Sequence, residues 1–143
     1  MCLIVGTKKL VAKTDLLVYK CLDHYGSSYC TPFQYLPIVF NKGVKTIDGG
    51  EYALTIEKDY HSRYGGQIRV INHGVHAYIR KSEAEYTASQ FPNSGTEVHY
   101  AIIPKGCPYY IGMEFDVVAT KMIVFRSKRI FDKYAEGKVI KEI

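Results

Sequence analysis

The stretch Glu97–Phe125 most constrains the fold, because it contains two long apolar segments with the two-residue period of β-strands. In the first, Val98–Ile103, both faces are largely apolar, which is typical of a strand covered on two sides. Pro104 ends it, since proline has no N–H for a sheet ladder. The second, Val117–Phe125, is rich in β-branched residues and lacks Gly and Pro. We expect the two segments to be neighbours in one sheet, joined by a polar turn. The side chains expected in the core are Tyr100, Ile102, Ile123 and Phe125.

Short apolar or alternating segments predict the rest of the sheet. They are Cys2–Val5, Asp15–Leu22, Leu36–Phe40, Gln67–Ile71 and Gly74–Ile79. A helix is predicted at Ser82–Phe91, where Ser82 and Glu85 have the spacing of a capping box and Pro92 follows. The sequence therefore predicts an α+β fold. It is a single domain over residues 1–143, a twisted, mostly antiparallel sheet with one main helix at about 82–91.

The segment after Phe125 has two interpretations. Ser127–Tyr134 has the pattern of one amphipathic helix with Ile130, Phe131 and Tyr134 on its apolar face. Alternatively, Arg129–Phe131 and Val139–Ile143 pair as strands, which is the interpretation we favour.

Length and cysteine usage indicate a protein of the cytoplasm. The 143 residues correspond to one domain, long enough to bury a core without disulfides. The four cysteines show neither CxxC spacing nor zinc-ligand spacing with the histidines, so we predict reduced thiols and no metal site. The sequence has no signal peptide and no apolar run of membrane-spanning length, so we expect no membrane association.

The net charge of +5 is concentrated at one end of the chain. Residues 121–143 contain seven Lys and Arg against three acidic residues, while the preceding residues are near neutral. Such a basic end is typical of a solvated edge, but it also permits contact with nucleic acid or an acidic partner. Nucleic-acid binding is therefore an open alternative.

Tyrosine is abundant, with thirteen residues and no Trp. Tyrosines near turns suit a binding surface, because aromatic side chains contribute much of the energy at interface centres. We predict that Tyr109 or Tyr110 joins Tyr29 and Gln34 in one partly exposed patch, the alternative being that both pack inward. The candidate binding residues are Tyr19, Tyr29, Thr31, Gln34, His76, Tyr109 and Tyr110.

Several short motifs carry a family resemblance. They are Met1–Val5, Val18–Lys20, Thr31–Gln34, Gly74–Ala77, Ile103–Gly106, Tyr109–Gly112 and Asp116–Lys121. With them the chain resembles a group of small uncharacterised proteins common in phage and prophage genomes of gut bacteria. The group has no established activity, so the resemblance implies a context, that of a small phage protein that acts on a host factor.

A weaker resemblance is to ADP-ribosyltransferases. Their order of a basic residue, a Ser/Thr-aromatic strand and a Glu before a late strand is matched by Lys20, by Tyr29 with Thr31, and by Glu97. The resemblance implies an enzyme that uses NAD. The chain departs from the pattern at Lys20, where Arg or His is usual, because lysine is not an equivalent donor array.

We expect binding without catalysis and without a cofactor. The expected partner is a host protein or a nucleotide-type small molecule, and the alternative is the NAD-dependent transferase with Lys20, Tyr29 and Glu97 in one cleft. We predict that these three side chains do not converge.

Overall fold

The computed structural model describes residues 3–26, 28–32, 36–59, 68–91 and 95–143. Gln34 and residues 60–66 of the polar segment 51–66 lie outside these residues. The strands are β1 Leu3–Ile4, β2 Leu10–Val11, β3 Asp15–Tyr25, β4 Ser28–Cys30, β5 Pro37–Ile38, β6 Val44–Asp48, β7 Glu57–Asp59, β8 Ile68–Ile71, β9 Val75–Tyr78, β10 Thr96–Ile103, β11 Pro108–Ile111, β12 Asp116–Ala119, β13 Lys121–Phe125 and β14 Ile140–Glu142. The helices are α1 Lys81–Ser89 and α2 Lys128–Ala135.

One large sheet organises the molecule, with the order β2-β11-β12-β9-β3-β10-β13-β6. The short strands β4 and β5 extend it beside the end of β3, and β14 pairs with the start of β3. A small second sheet has the order β1-β8-β7. All the described pairings are antiparallel except that of β14 with β3. The predicted α+β class with a mostly antiparallel sheet is confirmed.

The pair β3–β10 forms the centre of the large sheet, in register from Thr96 opposite Asp23 to Ile103 opposite Leu16. Alternation along β3 sends Val18 and Leu22 into the main apolar core on one face. The other face is covered by the helices. Tyr19 and Cys21 pack with Ala84 of α1, and Ile102 and Phe125 pack with Phe131 of α2.

The predicted long strand Val117–Phe125 is instead two strands. At Thr120 the chain changes its neighbours in the sheet, because β12 pairs with β9 and β11 whereas β13 pairs with β10 and β6. The segment between the two predicted strands contains a further strand, β11, so it is not a simple turn. Of the two strands, only β13 lies beside β10, as expected of neighbours. Ile102 and Phe125 are fully buried as predicted, while Tyr100 and Ile123 are only partly buried.

Helix α1 is present, but the predicted capping box is not. The helix begins at Lys81, one residue earlier than expected, with Arg80 as N-cap and no side-chain capping bond. Ser82 is therefore already inside the first turn, where it cannot act as the N-cap. Glu85 is 3.7 Å from the Lys81 ammonium, the geometry of an exposed i,i+4 ion pair.

The favoured strand pairing after Phe125 is wrong, and the helical alternative is correct. Ser127 caps α2 by accepting a hydrogen bond of 3.3 Å from the Ile130 N–H. The helix forms because Phe131 gains a buried place against Phe125, with ring centroids 5.3 Å apart. The chain then returns to the sheet, where β14 pairs in parallel with β3. Neither helix in the described residues has the length and apolar character needed to cross a membrane.

Candidate functional site

A cavity of about 180 Å³ lies where β3 and β9 separate. The registered pairing of these two described strands is Tyr19 with Tyr78. Beyond this pair, towards Lys20 on β3, the two strands separate. The opening is closed by the end of β6, by the segment after β4 and by α1. Its lining combines polar and apolar side chains, among them Lys20, Thr31, Ile47, Val75, His76 and Phe91. We refer to it as the Lys20 cavity.

Lys20 is a buried cation on a face of β3 that is otherwise apolar. Its side chain is 8% exposed, and its Nζ donates a hydrogen bond of 2.7 Å to the carbonyl oxygen of His76. Burial lowers the pKa of Lys20 to about 8, although the nearby Cys21 thiol acts in the opposite direction. Within the described residues Lys20 forms no ion pair. One backbone carbonyl is therefore its acceptor there, and an ammonium group has three N–H bonds to satisfy.

His76 adds an acceptor without a charge. Its Nε2 lies 2.8 Å from the His73 carbonyl oxygen, which can only accept, so Nε2 carries the proton in the neutral ring. Its Nδ1 is buried and has no partner among the described residues. Burial, followed by the proximity of Lys20, lowers the pKa of His76 to about 4. The imidazole is thus neutral at pH 7.

Two glycines let the wall of the Lys20 cavity form. Gly74 has φ +81°, and a Cβ there would lie 2.6 Å from the Ala53 carbonyl oxygen. Gly49 has as little space for a side chain, because a Cβ there would lie 2.9 Å from the Cα of Gly74. The end of β6 and the start of β9 therefore approach backbone to backbone, an approach that side chains at these positions would prevent.

A second, more open depression of about 530 Å³ is lined by His24, Tyr29, Phe40 and Arg126, among others. The rings of Tyr29 and His24 are stacked with centroids 4.3 Å apart. Glu97 holds His24 in place, with Oε1 2.7 Å from Nδ1. We call this depression the Tyr29 groove.

His99 is a buried residue beside the Tyr29 groove, with its ring centroid 5.3 Å from that of Tyr29. Its Nδ1 donates to the Phe125 carbonyl oxygen at 2.9 Å, and its Nε2 is 3.3 Å from Oε2 of Glu97. That second contact is close, but its geometry does not make a hydrogen bond. Burial, followed by the carboxylate of Glu97, raises the pKa of Tyr29. The arrangement orients two imidazoles around one carboxylate beside an aromatic surface.

The predicted site residues divide between these places and the core. Thr31 and His76 line the Lys20 cavity, Tyr29 lines the groove, and Gln34 lies outside the described residues. Tyr19 is buried beneath α1, with its ring centroid 5.3 Å from that of Tyr100.

The predicted exposed patch with Tyr109 or Tyr110 is not formed. Both side chains are buried, at 9% and 8% exposure. The reason is that β11 is flanked by β2 and β12, so its alternating side chains enter apolar clusters on both faces of the sheet. The alternative, that both tyrosines pack inward, is correct.

The three residues of the transferase pattern do not share a cavity. Lys20 lines the Lys20 cavity, whereas Tyr29 lines the groove and Glu97 contacts the groove residue His24. This separation agrees with the expectation that the three do not converge.

No sequence pattern points to Ile47, Val75 and Phe91, the apolar walls of the Lys20 cavity. Lys20 enters the predictions only through its place in the transferase pattern. One signal was present, however, because Lys20 is the single charged residue on a strand face that also carries Leu16, Val18 and Leu22. A charge on a buried strand face is unusual and indicates a special environment.

Comparisons with protein-family models, with curated proteins and with solved structures found no match. The phage resemblance therefore stays a prediction. Among the described residues, no group of three or more His, Cys, Asp or Glu side chains is arranged to hold a metal ion.

Proposed function

We propose that this protein is a small-molecule binding protein that takes its ligand in the Lys20 cavity. The observation that carries the proposal is the cavity itself, built where β3 and β9 part. Its lining includes Lys20 Nζ and His76 Nδ1, whose bonding capacity the described residues do not exhaust. Ligand sites commonly have this character, an apolar depression with a few convergent polar groups.

The size of the cavity limits the ligand. Its volume of about 180 Å³ exceeds the roughly 150 Å³ that accommodates benzene in an engineered cavity, and it is smaller than the roughly 300–1,000 Å³ typical of sites for drug-sized molecules. A single ring or one nucleobase fits, whereas a dinucleotide such as NAD does not. A nucleotide-type ligand would place only its base or another ring-sized part inside.

The lining favours binding over catalysis. The thiol of Cys21 donates to the Ala84 carbonyl oxygen at 3.4 Å, and burial raises the pKa of this thiol to about 11. The thiolate is the nucleophilic form, so Cys21 is inert at neutral pH. The neutral imidazole of His76 is engaged with its own chain through Nε2. These groups are suited to hold a ligand.

A blocking substitution tests the proposal. Leu36 is half exposed and lines the cavity, so Leu36→Trp should obstruct the site with little effect on folding. Val39 is exposed and lines the groove, which makes Val39→Trp the matched control. Ligand-observed NMR with nucleobases and ring-sized acids would identify a binder. Thermal unfolding would then measure stabilisation, which is about 2.7 kcal/mol at a hundredfold excess over Kd.

We expect Leu36→Trp to lose this stabilisation and Val39→Trp to keep it. Equal stabilisation of both variants, or no ring-sized compound that binds the wild type, would mean that the Lys20 cavity is not a ligand site.

A further inference from the structure

The ammonium group of Lys20 is a buried charge that the described protein groups do not neutralise. An isolated charge in an apolar interior carries a large desolvation penalty, and buried charges are normally paired. Among the described residues Lys20 has one acceptor, the neutral His76 carbonyl oxygen at 2.7 Å. Its remaining N–H bonds have no partner in that part of the chain, and Lys20 lines the cavity.

Two acidic residues near Lys20, Asp48 and Asp23, contact other groups. Asp48 lines the same cavity, but its Oδ1 accepts from the Gly50 N–H at 2.9 Å and its Oδ2 is 3.9 Å from the ammonium of Lys121. Asp23 is buried and accepts from Thr96 at 2.7 Å. It is also three residues from Lys20 on the same strand, so its side chain leaves the opposite face.

We propose, on the basis of the proposed function, that the ligand of the Lys20 cavity is an organic anion whose carboxylate or phosphate group pairs with the Lys20 ammonium. The pairing supplies the counter-charge that Lys20 does not have among the described residues. A carboxylate or phosphate oxygen accepts strong, charge-assisted hydrogen bonds from an ammonium group.

The apolar part of the lining defines the rest of the ligand. Ile47, Val75 and Phe91 line the same cavity. The combination favours an amphipathic molecule, with one charged end at Lys20 and a ring-sized apolar body.

Three probes of similar size separate charge from shape: benzoate, phenyl phosphate and the neutral benzamide. Each would be titrated into the full chain, with amide NMR shifts as the readout of affinity. The variants are Lys20→Met, which removes the charge at similar length, and Lys8→Met, which removes an exposed lysine as the matched control. Far-UV circular dichroism would verify folding.

We expect at least one anion to bind the wild type and Lys8→Met tenfold or more tightly than benzamide does. In Lys20→Met this preference should disappear. If Lys20→Met does not fold, the shift of the Lys20 side-chain Cε resonance on adding each probe to the wild type decides, and it should move with the anion.

Benzamide binding as tightly as both anions would overturn this inference but leave the proposed function standing. The inference is equally overturned if the preference for anions persists in Lys20→Met, if the Cε resonance stays in place, or if none of the three probes binds. The proposed function fails separately, by the Leu36→Trp and Val39→Trp comparison.

Discussion

Replacing Lys20 by Met should remove a rise in stability that the wild type shows above neutral pH. In the folded protein burial lowers the pKa of Lys20 from 10.5 to about 8. Between these two values the unfolded chain binds more protons than the folded one, so the free energy of unfolding increases with pH. At pH 7 Lys20 is protonated in both the folded and the unfolded protein, so the folded protein bears the full free-energy cost of burying the charge. From pH 7 to pH 9 the gain is about 1 kcal/mol, and it approaches about 3 kcal/mol near pH 11.

The titratable groups packed around Lys20 do not mask its effect on the free energy of unfolding between pH 7 and pH 9. The pKa of His76 is about 4, so its ring stays neutral throughout. Burial raises the pKa of Cys21 from 9.0 to about 11, so stability falls as the thiol of the unfolded chain ionises, beginning slightly below pH 9. The wild type and both lysine variants share this loss, so it cancels in their comparison. The pKa values of Tyr19 and Tyr78 are also raised by burial from 10.0.

Urea denaturation at pH 7, 8 and 9, followed by far-UV circular dichroism, measures the effect. Lys20→Met also loses the hydrogen bond to the His76 carbonyl, so the comparison uses the slope with pH and not the absolute stability. The wild type and Lys8→Met should each gain about 1 kcal/mol over this range relative to Lys20→Met. Parallel pH profiles for the wild type and Lys20→Met would refute the argument that Lys20 is a buried, unneutralised cation.

Four further substitutions have expected outcomes. Ile102→Ala should cost about 2–5 kcal/mol in chemical denaturation, because Ile102 is fully buried between the sheet and α2; a loss below about half a kcal/mol would contradict this. Ser127→Ala should cost roughly 0.5–2 kcal/mol by the same measurement, since Ser127 caps α2. Ser82→Ala should cost less, because Ser82 is not a cap, and the reverse order would be contradictory. His76→Gln should resist acid better: the buried ring, with a pKa of about 4, gains its proton later than the unfolded ring near 6.5. The wild type therefore loses up to about 3 kcal/mol as pH falls between these values, and equal acid midpoints would be inconsistent with this.

Local pattern is sufficient to predict the elements whose side chains alternate strongly. The strand Asp15–Tyr25 and the strand Val75–Tyr78 follow from their apolar residues, and both are close to the predicted ranges. Strand β6 is not predicted because VKTID alternates weakly and lies between turn signals. The division of Val117–Phe125 at Thr120 has no sequence signal, because no Gly or Pro marks the change of neighbours.

The competition between helix and strand after Phe125 depends on tertiary packing. An eight-residue helix is marginal by itself in water, so its formation depends on a surface that accepts its apolar face. Phe125 and Ile102 provide that surface for Phe131, and Ile102 lies on a strand distant from the helix in sequence. Propensity within residues 127–143 could not decide between helix and strand.

The candidate site is predictable only in part. The sequence leads to the prediction that His76 and Thr31 are binding residues, and both line the Lys20 cavity. Lys20 enters the predictions only through the transferase pattern. The contact that joins Lys20 to His76 links residues 56 positions apart in the sequence. It also depends on the divergence of two strands, a property of the whole sheet and not of either segment.

The Lys20 cavity and the Tyr29 groove are both related to one residue pair of the central strands β3 and β10. Lys20 of β3 and His99 of β10 lie directly opposite each other, so their side chains leave the same face of the sheet. Each donates to a backbone carbonyl of the outer neighbour, Lys20 to His76 of β9 and His99 to Phe125 of β13. The registered pairing of β9 with β3, and of β13 with β10, does not extend to these residues. A buried carbonyl must find a donor, and long polar side chains provide it where the neighbouring strand's amides no longer can. The sheet therefore opens on both sides at the level of Lys20 and His99. The Lys20 cavity lies at one opening, and Arg126, which follows β13 at the other, lines the Tyr29 groove.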